Sequence, residues 1–322
     1  MSVMSAEDNT KQPGSKYDRL IAAAKGVPTV ATVVVHPCDE SSLRGAIESA
    51  ESGIIKALLV GPAARIKDVA AKHGLNISGY EIVDTPPIEA AAAARGVELI
   101  HEGKGEVLMK GSLHTDEIMR AVTAKVGGLR TDRRISHVFV MDVPAYAETV
   151  FVTDAAVNIF PTLEEKADIL QNAIDLAHAL GIAEVRVAVL SAMETINSKV
   201  PSTIEAAALC KMMDRHQVSG ALIDGPLALD NAIDPDAARI KKIDSPVAGR
   251  ANVLLVPDLE AGNMLAKSLT FMAGADAAGI VLGARVPIIL TSRADSLITR
   301  LASCAVAVLV AKARREAGKA LG

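Results

Sequence analysis

The stretch VPDLEAGNMLAKSLTFMAGADAAG (residues 256–279), running on into GARVPIILTSRADS (283–296), decides the fold. The first part reads as a strand, a polar Gly262-Asn263 break, a helix and a Gly-rich break. The second reads as a buried strand, VPIIL, followed by a turn carrying Thr291, Ser292, Arg293 and Asp295. In open α/β sheets, ligands sit outside the carboxyl ends of strands. A hydroxyl, a guanidinium and a carboxylate at such a strand end suit an active-site loop. Core packing has no use for Arg293 there, so the position asks for an anionic partner.

The same alternation extends back through the chain. Apolar β-branched bursts at 29–35, 54–61, 81–85, 106–111 and 137–144 read as strands, with helical periods near 40–52, 63–73 and 88–102 between them. Thr115, followed by Asp116 and Glu117, reads as an N-cap with an acidic first turn. A second set follows: strands at 150–159, 185–192, 220–224 and 251–257, with capping boxes Thr162/Glu165 and Ser202/Glu205 opening two helices. This pattern argues parallel α/β layers. A boundary near 145–149 divides two domains, with a final helix over about 296–316 returning to pack on the first. The expected division is 1–148 with 291–322 against 149–290, residues 1–16 being a loose polar tail without the apolar core of a signal peptide. The polar stretch 229–250 reads as a long functional loop.

Composition narrows the function. Half of the 322 residues are hydrophobic, enough for a large core, and mean hydropathy is +0.30. Yet no run approaches the ~18 unbroken apolar residues of a membrane span. Aromatics are 2% with no Trp, which leaves no base-stacking platform for nucleic acid. Net charge is −4, so any phosphate site is a local basic cluster rather than a bulk field. Three dispersed cysteines, Cys38, Cys210 and Cys304, fit a reducing, cytoplasmic setting without structural zinc.

Among candidate chemical groups, VLMKGSLHTDEIMR (107–120) places Lys110-Gly111-Ser112 between a strand and a helix carrying Arg120. A glycine break before a helix N-terminus exposes N–H groups to an anion, and Lys110 adds charge. The same pattern also describes a plain strand-to-helix turn. It is not a Walker A, because the Gly-Lys-Ser/Thr ending is absent. Ser292 and Asp295 can equally cap the last helix. Ser292 lacks a Gly-x-Ser-x-Gly elbow and a following histidine, so it is no hydrolase nucleophile. Asn263 is either a turn residue or an amide donor to a carbonyl or phosphate. The seven histidines show no metal-ligand spacing, and His114, beside the candidate cradle, is the one retained. Asp224 before Gly225-Pro226 is a ligand at a strand end or a turn former.

Taken together, KGSLHTDEIMR (110–120), TDAAVNIFPTLEEKADI (153–169), VPSTIEAA (200–207), DGPLALDNA (224–232), PDLEAGNMLAKSL (257–269) and LTSRADS (290–296) resemble the phosphate acetyltransferase and phosphate butyryltransferase family. The resemblance runs from about residue 17 to near the end. It implies two three-layer α/β domains with an intervening cleft, similar to isocitrate and isopropylmalate dehydrogenases, in a homodimer. It implies reversible acyl transfer between coenzyme A and inorganic phosphate, with acyl-CoA and acyl phosphate as the partner species and no metal or resident cofactor. The family's Ser-Arg pair falls on Ser292 and Arg293, and its phosphate-binding arginine on Arg120. Its catalytic aspartate falls near Thr299, which is not an acid, so Asp295 is the nearest candidate. The LTSRADS wording is similar to the butyryltransferase branch, leaving the acyl chain open.

Two other functions stand beside this one. A nicotinamide-dependent dehydrogenase of the similar fold needs a GxGxxG after a strand and an acidic metal cluster, and the sequence shows neither. A non-catalytic acetyl-CoA sensor would bind the thioester without turning it over.

Overall fold

The structure, a computed structural model, describes residues 16–290 and 296–318. The first part of the chain forms α1 (Lys16–Lys25), β1 (Val30–Val35), α2 (Glu40–Glu51), β2 (Ile55–Gly61), α3 (Ala63–Lys72), β3 (Ile82–Asp84), α4 (Glu89–His101), β4 (Val107–Lys110), α5 (Thr115–Thr123) and β5 (Ser136–Asp142). Then come β6 (Val150–Thr153), α6 (Leu163–Ala179), β7 (Arg186–Leu190), α7 (Pro201–Asp214), β8 (Leu222–Leu227), α8 (Leu229–Ile233) and α9 (Pro235–Ile240). The chain continues through β9 (Val253–Leu255), α10 (Leu259–Met272), β10 (Asp276–Leu282), β11 (Ile288–Ile289) and α11 (Leu297–Glu316).

The strands make one eleven-stranded sheet in the order β3-β2-β1-β4-β11-β10-β5-β6-β9-β7-β8. The α/β class therefore stands, but the sheet is mixed. β10 runs antiparallel to both β11 and β5, and β5 antiparallel to β6. Parallel pairing needs a crossover of a dozen or more residues. The short turns 143–149 and 283–287 are too short for one, so the chain reverses. β10 itself is missed by the sequence reading, where its Gly and Ala residues pass as a break.

One face of the sheet is covered by α1, α2, α3, α6, α7 and α11 in a continuous apolar core. The other is covered in two separate patches. α4 and α5 cover one, and α8 and α10 the other. Helix α11 is buried without a break from Ala302 to Ala311, as befits a helix apolar all round. It reaches back to α2 through Arg300 Nη1, which donates to Ser41 Oγ at 2.6 Å, and Cys304 Sγ, which lies 3.4 Å from Ser49 Oγ.

Local signals mostly act as read. Thr162 and Glu165 form a full capping box on α6. The cap of α11 is Ser296, which accepts from Thr299 N, rather than Ser292 or Asp295. Four readings need correction. Thr115 is the first helical residue of α5; His114 is the N-cap and gives no side-chain cap. Ser202 and Glu205 form no capping box. α7 starts on Pro201, whose fixed φ already suits a first turn. Ser202 then bonds Ser191, and Glu205 ion-pairs with Lys166. Gly262-Asn263 lies inside α10, because Asp258 caps that helix upstream by accepting from Ala261 N at 2.9 Å. The stretch 229–250 is not structureless, since α8 and α9 fold within it. Of the expected tail, residues 1–15 lie outside the described residues. Lys16 is anchored, its Nζ donating to Val143 O at 2.7 Å and Tyr146 O at 2.6 Å.

Candidate active site

The middle of the sheet lies between the α4/α5 patch and the α8/α10 patch, and its strands β4, β11, β10 and β5 carry or adjoin several of the candidate groups. At its edge β4 ends in Lys110-Gly111-Ser112. Gly111 N donates to Val35 O at 2.8 Å and Ser112 N to His36 O at 2.9 Å. The Ser112 hydroxyl donates to His36 O at 2.8 Å and accepts from Cys38 N at 3.2 Å. His36 Nδ1 lies 3.1 Å from the same hydroxyl. The turn is thus stitched to the end of β1, and those two N–H groups are engaged by protein carbonyls. A Cβ on Gly111 would sit 2.4 Å from Val35 O and 2.6 Å from His36 O, so no side chain fits. Lys110 is buried, with Nζ 3.3 Å from Gly111 O. Burial depresses the pKa of His36, which keeps its imidazole neutral beside the turn.

His114 is exposed at the start of α5, and its N–H donates to Glu89 Oε2 at 2.9 Å. Arg120, on the same helix, is exposed and pairs with Glu117 at 2.8 Å. An exposed pair of this kind is weak, so the guanidinium can exchange it for an anion. β11 runs parallel to β4 with Ile289 opposite Met109. The chain therefore leaves the sheet at Leu290 alongside Lys110. Ser292, Arg293 and Asp295 come next and lie outside the described residues.

The loop 153–158 holds functional candidates that the sequence reading did not assign. Asp154 is buried, and its carboxylate accepts from Ala156 N at 3.0 Å, Val157 N at 3.1 Å and Asn158 N at 3.2 Å. Asn158 is in turn held by Arg134 Nε at 2.7 Å. Val157 packs on the cluster that includes Leu290, Met119 and Ala121, while Ala155 belongs to the cluster under α10. The loop therefore links both sides of the gap. Asn263 Nδ2 donates to Ala155 O at 3.3 Å. Gly262 allows that approach, since a Cβ there would lie 2.9 Å from Asp154 O. The turn reading of the Gly-Asn pair gives way to helix-to-loop packing, and Asn263 acts as an amide donor to a protein carbonyl. The signal for this loop was the Asp-x-x-x-Asn spacing, in which a carboxylate closes over following N–H groups.

On the floor of the gap lies His137, on β5. A Cβ on Gly279 of β10 would sit 2.8 Å from its Nε2 and 3.5 Å from Leu290 O. Its ring meets Phe139 edge-on, with centroids 4.4 Å apart. Nδ1 has no hydrogen-bond partner among the described residues. Burial pulls its pKa down to about 4, against the opposing pull of the Asp154 carboxylate. No spacing rule could have selected this histidine. Asp224 lies within β8, opposite Ala188 of β7, and accepts from Gly225 N at 2.8 Å, so it is neither at a strand end nor in a turn. Among the described residues no three His, Cys, Asp or Glu side chains converge as a metal-ligand set.

The arrangement offers cations and hydroxyls at strand ends beside a neutral histidine, which suits an anionic substrate whose charge shifts during reaction. Comparison with known proteins agrees. A family model described as "Phosphate acetyl/butaryl transferase" matches residues 85–308. A phosphate acetyltransferase of Rhizobium meliloti is 66% identical over 303 residues, covering 94% of this chain and 96% of that protein. A phosphate butyryltransferase of Clostridium acetobutylicum is 40% identical, covering 92% and 98%. Among solved structures, a branched-chain phosphotransacylase from Enterococcus faecalis V583 superposes with a TM-score of 0.75 at 29% identity, covering 87% of this chain and 98% of that one. The chain belongs to the phosphate acetyl/butyryl transferase family of acyltransferases.

Proposed function

We propose that this protein is a phosphate acyltransferase moving a short acyl group reversibly between coenzyme A and inorganic phosphate. The observation that carries it is 66% identity to a phosphate acetyltransferase along nearly the whole chain. The partners are coenzyme A or acyl-CoA with phosphate or acyl phosphate. Nucleic acid and membrane are not among them, and no helix among the described residues is long and apolar enough to cross a membrane.

In the thioester-forming direction, the coenzyme A sulfur attacks the acyl phosphate carbonyl. The C–S bond forms, the C–O bond to phosphorus breaks, and phosphate leaves with the electron pair. A thiol of pKa near 8.5 is about 3% ionised at pH 7, so full ionisation is worth only about 2 kcal/mol. The larger contribution is stabilisation of the developing oxyanion and the departing phosphate. Arg293, Arg120 and Lys110 supply that field, Gly111 and Ser112 shape the turn that carries Lys110, and His114 stands at the mouth. Ser292 hydrogen-bonds the thiolate or carbonyl oxygen, Asp295 takes the thiol proton, and Asn263 holds the loop that faces the substrate. Chemistry of this kind needs no metal and no covalent enzyme intermediate.

The finer architecture follows the same reading. Two separate helix patches on one sheet face support a division into 1–148 with 291–322 and 149–290, the cleft between them holding the substrates. The dehydrogenase-like two-domain form, the homodimer and a cytoplasmic setting complete the proposal. Titration with acetyl-CoA, with and without phosphate, tests it. An enzyme releases free coenzyme A only when phosphate is present, whereas saturable binding with no release would make the protein a sensor.

A further inference from the structure

At the far end of β4 and β11 from the Gly111 turn, the C-terminal parts of α6 and α11 diverge over the end of β10. They leave a cavity of about 830 Å³, within the 300–1,000 Å³ range of small-molecule sites. Its walls carry Arg130, Arg133, Arg285 and Arg314 against only Asp132 and Asp175. On a chain whose net charge is −4, this is a concentration of positive charge that folding has to tolerate. The floor is apolar, formed in part by Leu282 and Val310.

Three of the four arginines, Arg133, Arg285 and Arg314, are held by hydrogen bonds. Arg314 Nη1 donates to Arg285 O at 2.8 Å and Ala284 O at 3.2 Å. Arg133 Nη1 donates to Asp175 Oδ2 at 2.6 Å. Arg285 Nη1 donates to His101 Nδ1 at 2.8 Å, while His101 Nε2 lies 3.1 Å from Gly128 O. Two of the four, Arg285 and Arg314, thus donate in these bonds to a ring nitrogen and to backbone carbonyls rather than to a carboxylate. Burial and the neighbouring Arg133 charge lower the pKa of Arg314, against the opposing pull of Asp175. Guanidinium forks are the side chains best matched to phosphate and carboxylate oxygens.

We propose that this cavity is a second ligand site, separate from the acyl-transfer site, for a small metabolite carrying two or more phosphate or carboxylate groups beside an apolar body. The anionic groups meet the arginines, and the apolar body lies on the Leu282–Val310 floor. The site stands on geometry independent of the acyl-transfer reading. α11 gives it a physical connection to that site, because one continuous helix runs from Ser296, just after 291–295, to Arg314.

The test is calorimetric titration of the full chain with ADP, pyrophosphate and citrate, each with saturating desulfo-CoA present to fill the acyl-transfer site. The proposal expects at least one of the three to bind with a Kd below about 1 mM and one molecule per chain. ADP binding more tightly than pyrophosphate would place an apolar body on the floor, and the citrate arm separates carboxylate from phosphate recognition. The R133Q/R285Q double variant should weaken that binding about 10-fold or more, given the strength of charge-assisted hydrogen bonds. Its phosphate-dependent release of coenzyme A should stay at the wild-type rate, which also shows that the variant is folded. No binding of any of the three, or binding undiminished in the double variant, would overturn the site.

Discussion

Replacing Gly111 by alanine tests how the Lys110-Gly111-Ser112 turn is built. The added methyl would fall 2.4 Å from Val35 O, 2.6 Å from His36 O and 2.7 Å from His36 C. All three are backbone atoms, so no side chain can swing away, and β4 must separate from the end of β1. Overpacking of this kind costs about 1–3 kcal/mol. The separation also stretches two backbone hydrogen bonds, from Gly111 to Val35 and from Ser112 to His36, each worth roughly 1 kcal/mol net. A loss of about 2–4 kcal/mol is therefore expected from the urea midpoint at unchanged m-value. Because Lys110 and Leu290 leave the sheet side by side, the shift also misplaces the substrate groups. A displacement of about 1 Å can cost roughly 100-fold in rate. Gly79→Ala is the control, since nothing lies within 4 Å of its Cβ position. It should change stability by no more than about 1 kcal/mol, in the stabilising direction. A Gly111→Ala protein within about 0.5 kcal/mol of wild type, with normal turnover, would refute the packing account of the turn.

Three shorter predictions follow from the same groups. The folded pKa of His137, about 4, lies below the unfolded value near 6.5, so the folded state favours the neutral ring. Between those values the unfolded chain binds more protons. This contribution is complete above about pH 6.5, shrinks as pH falls, and amounts to about 3 kcal/mol at most. His137→Gln should flatten the pH dependence of the urea midpoint over that window, and an unchanged slope would place the acid sensitivity elsewhere. Burial pushes the Cys38 and Cys304 thiols up to about 11, so iodoacetamide at pH 7.5 should modify them at least 100-fold more slowly in the native protein than after denaturation. Equal rates would contradict their burial. Arg293→Gln should lower kcat about 100-fold or more by removing a donor to developing charge, whereas Arg120→Gln should chiefly raise the KM for phosphate. A kcat within threefold for Arg293→Gln would make that side chain a bystander.

Much of the fold was legible because buried strands and amphipathic helices write their periods into the chain. The bursts at 29–35 and 54–61 mark β1 and β2, and Thr162 with Glu165 marks the start of α6. Direction was not legible, because strand polarity depends on connection length and partner choice rather than on composition. β10 escaped notice because Gly279 and its alanines look like a break. They are small because His137 and Tyr17 press on that strand: Gly279 faces the imidazole, and Ala278 N donates to Tyr17 Oη at 2.6 Å. Among the candidate groups, Lys110, Gly111 and Ser112 stand out through local spacing. Asp154 and His137 do not, because what marks them is burial and contact across the sheet, which no linear motif carries.

The central claim is acyl transfer to phosphate, and initial rates of coenzyme A release from acetyl-, propionyl- and butyryl-CoA test it most directly. The account predicts release that saturates with phosphate, persists in excess EDTA and yields one acyl phosphate per coenzyme A. Release without phosphate, abolition by EDTA with rescue by a divalent metal, or no release from any of the three thioesters would contradict it.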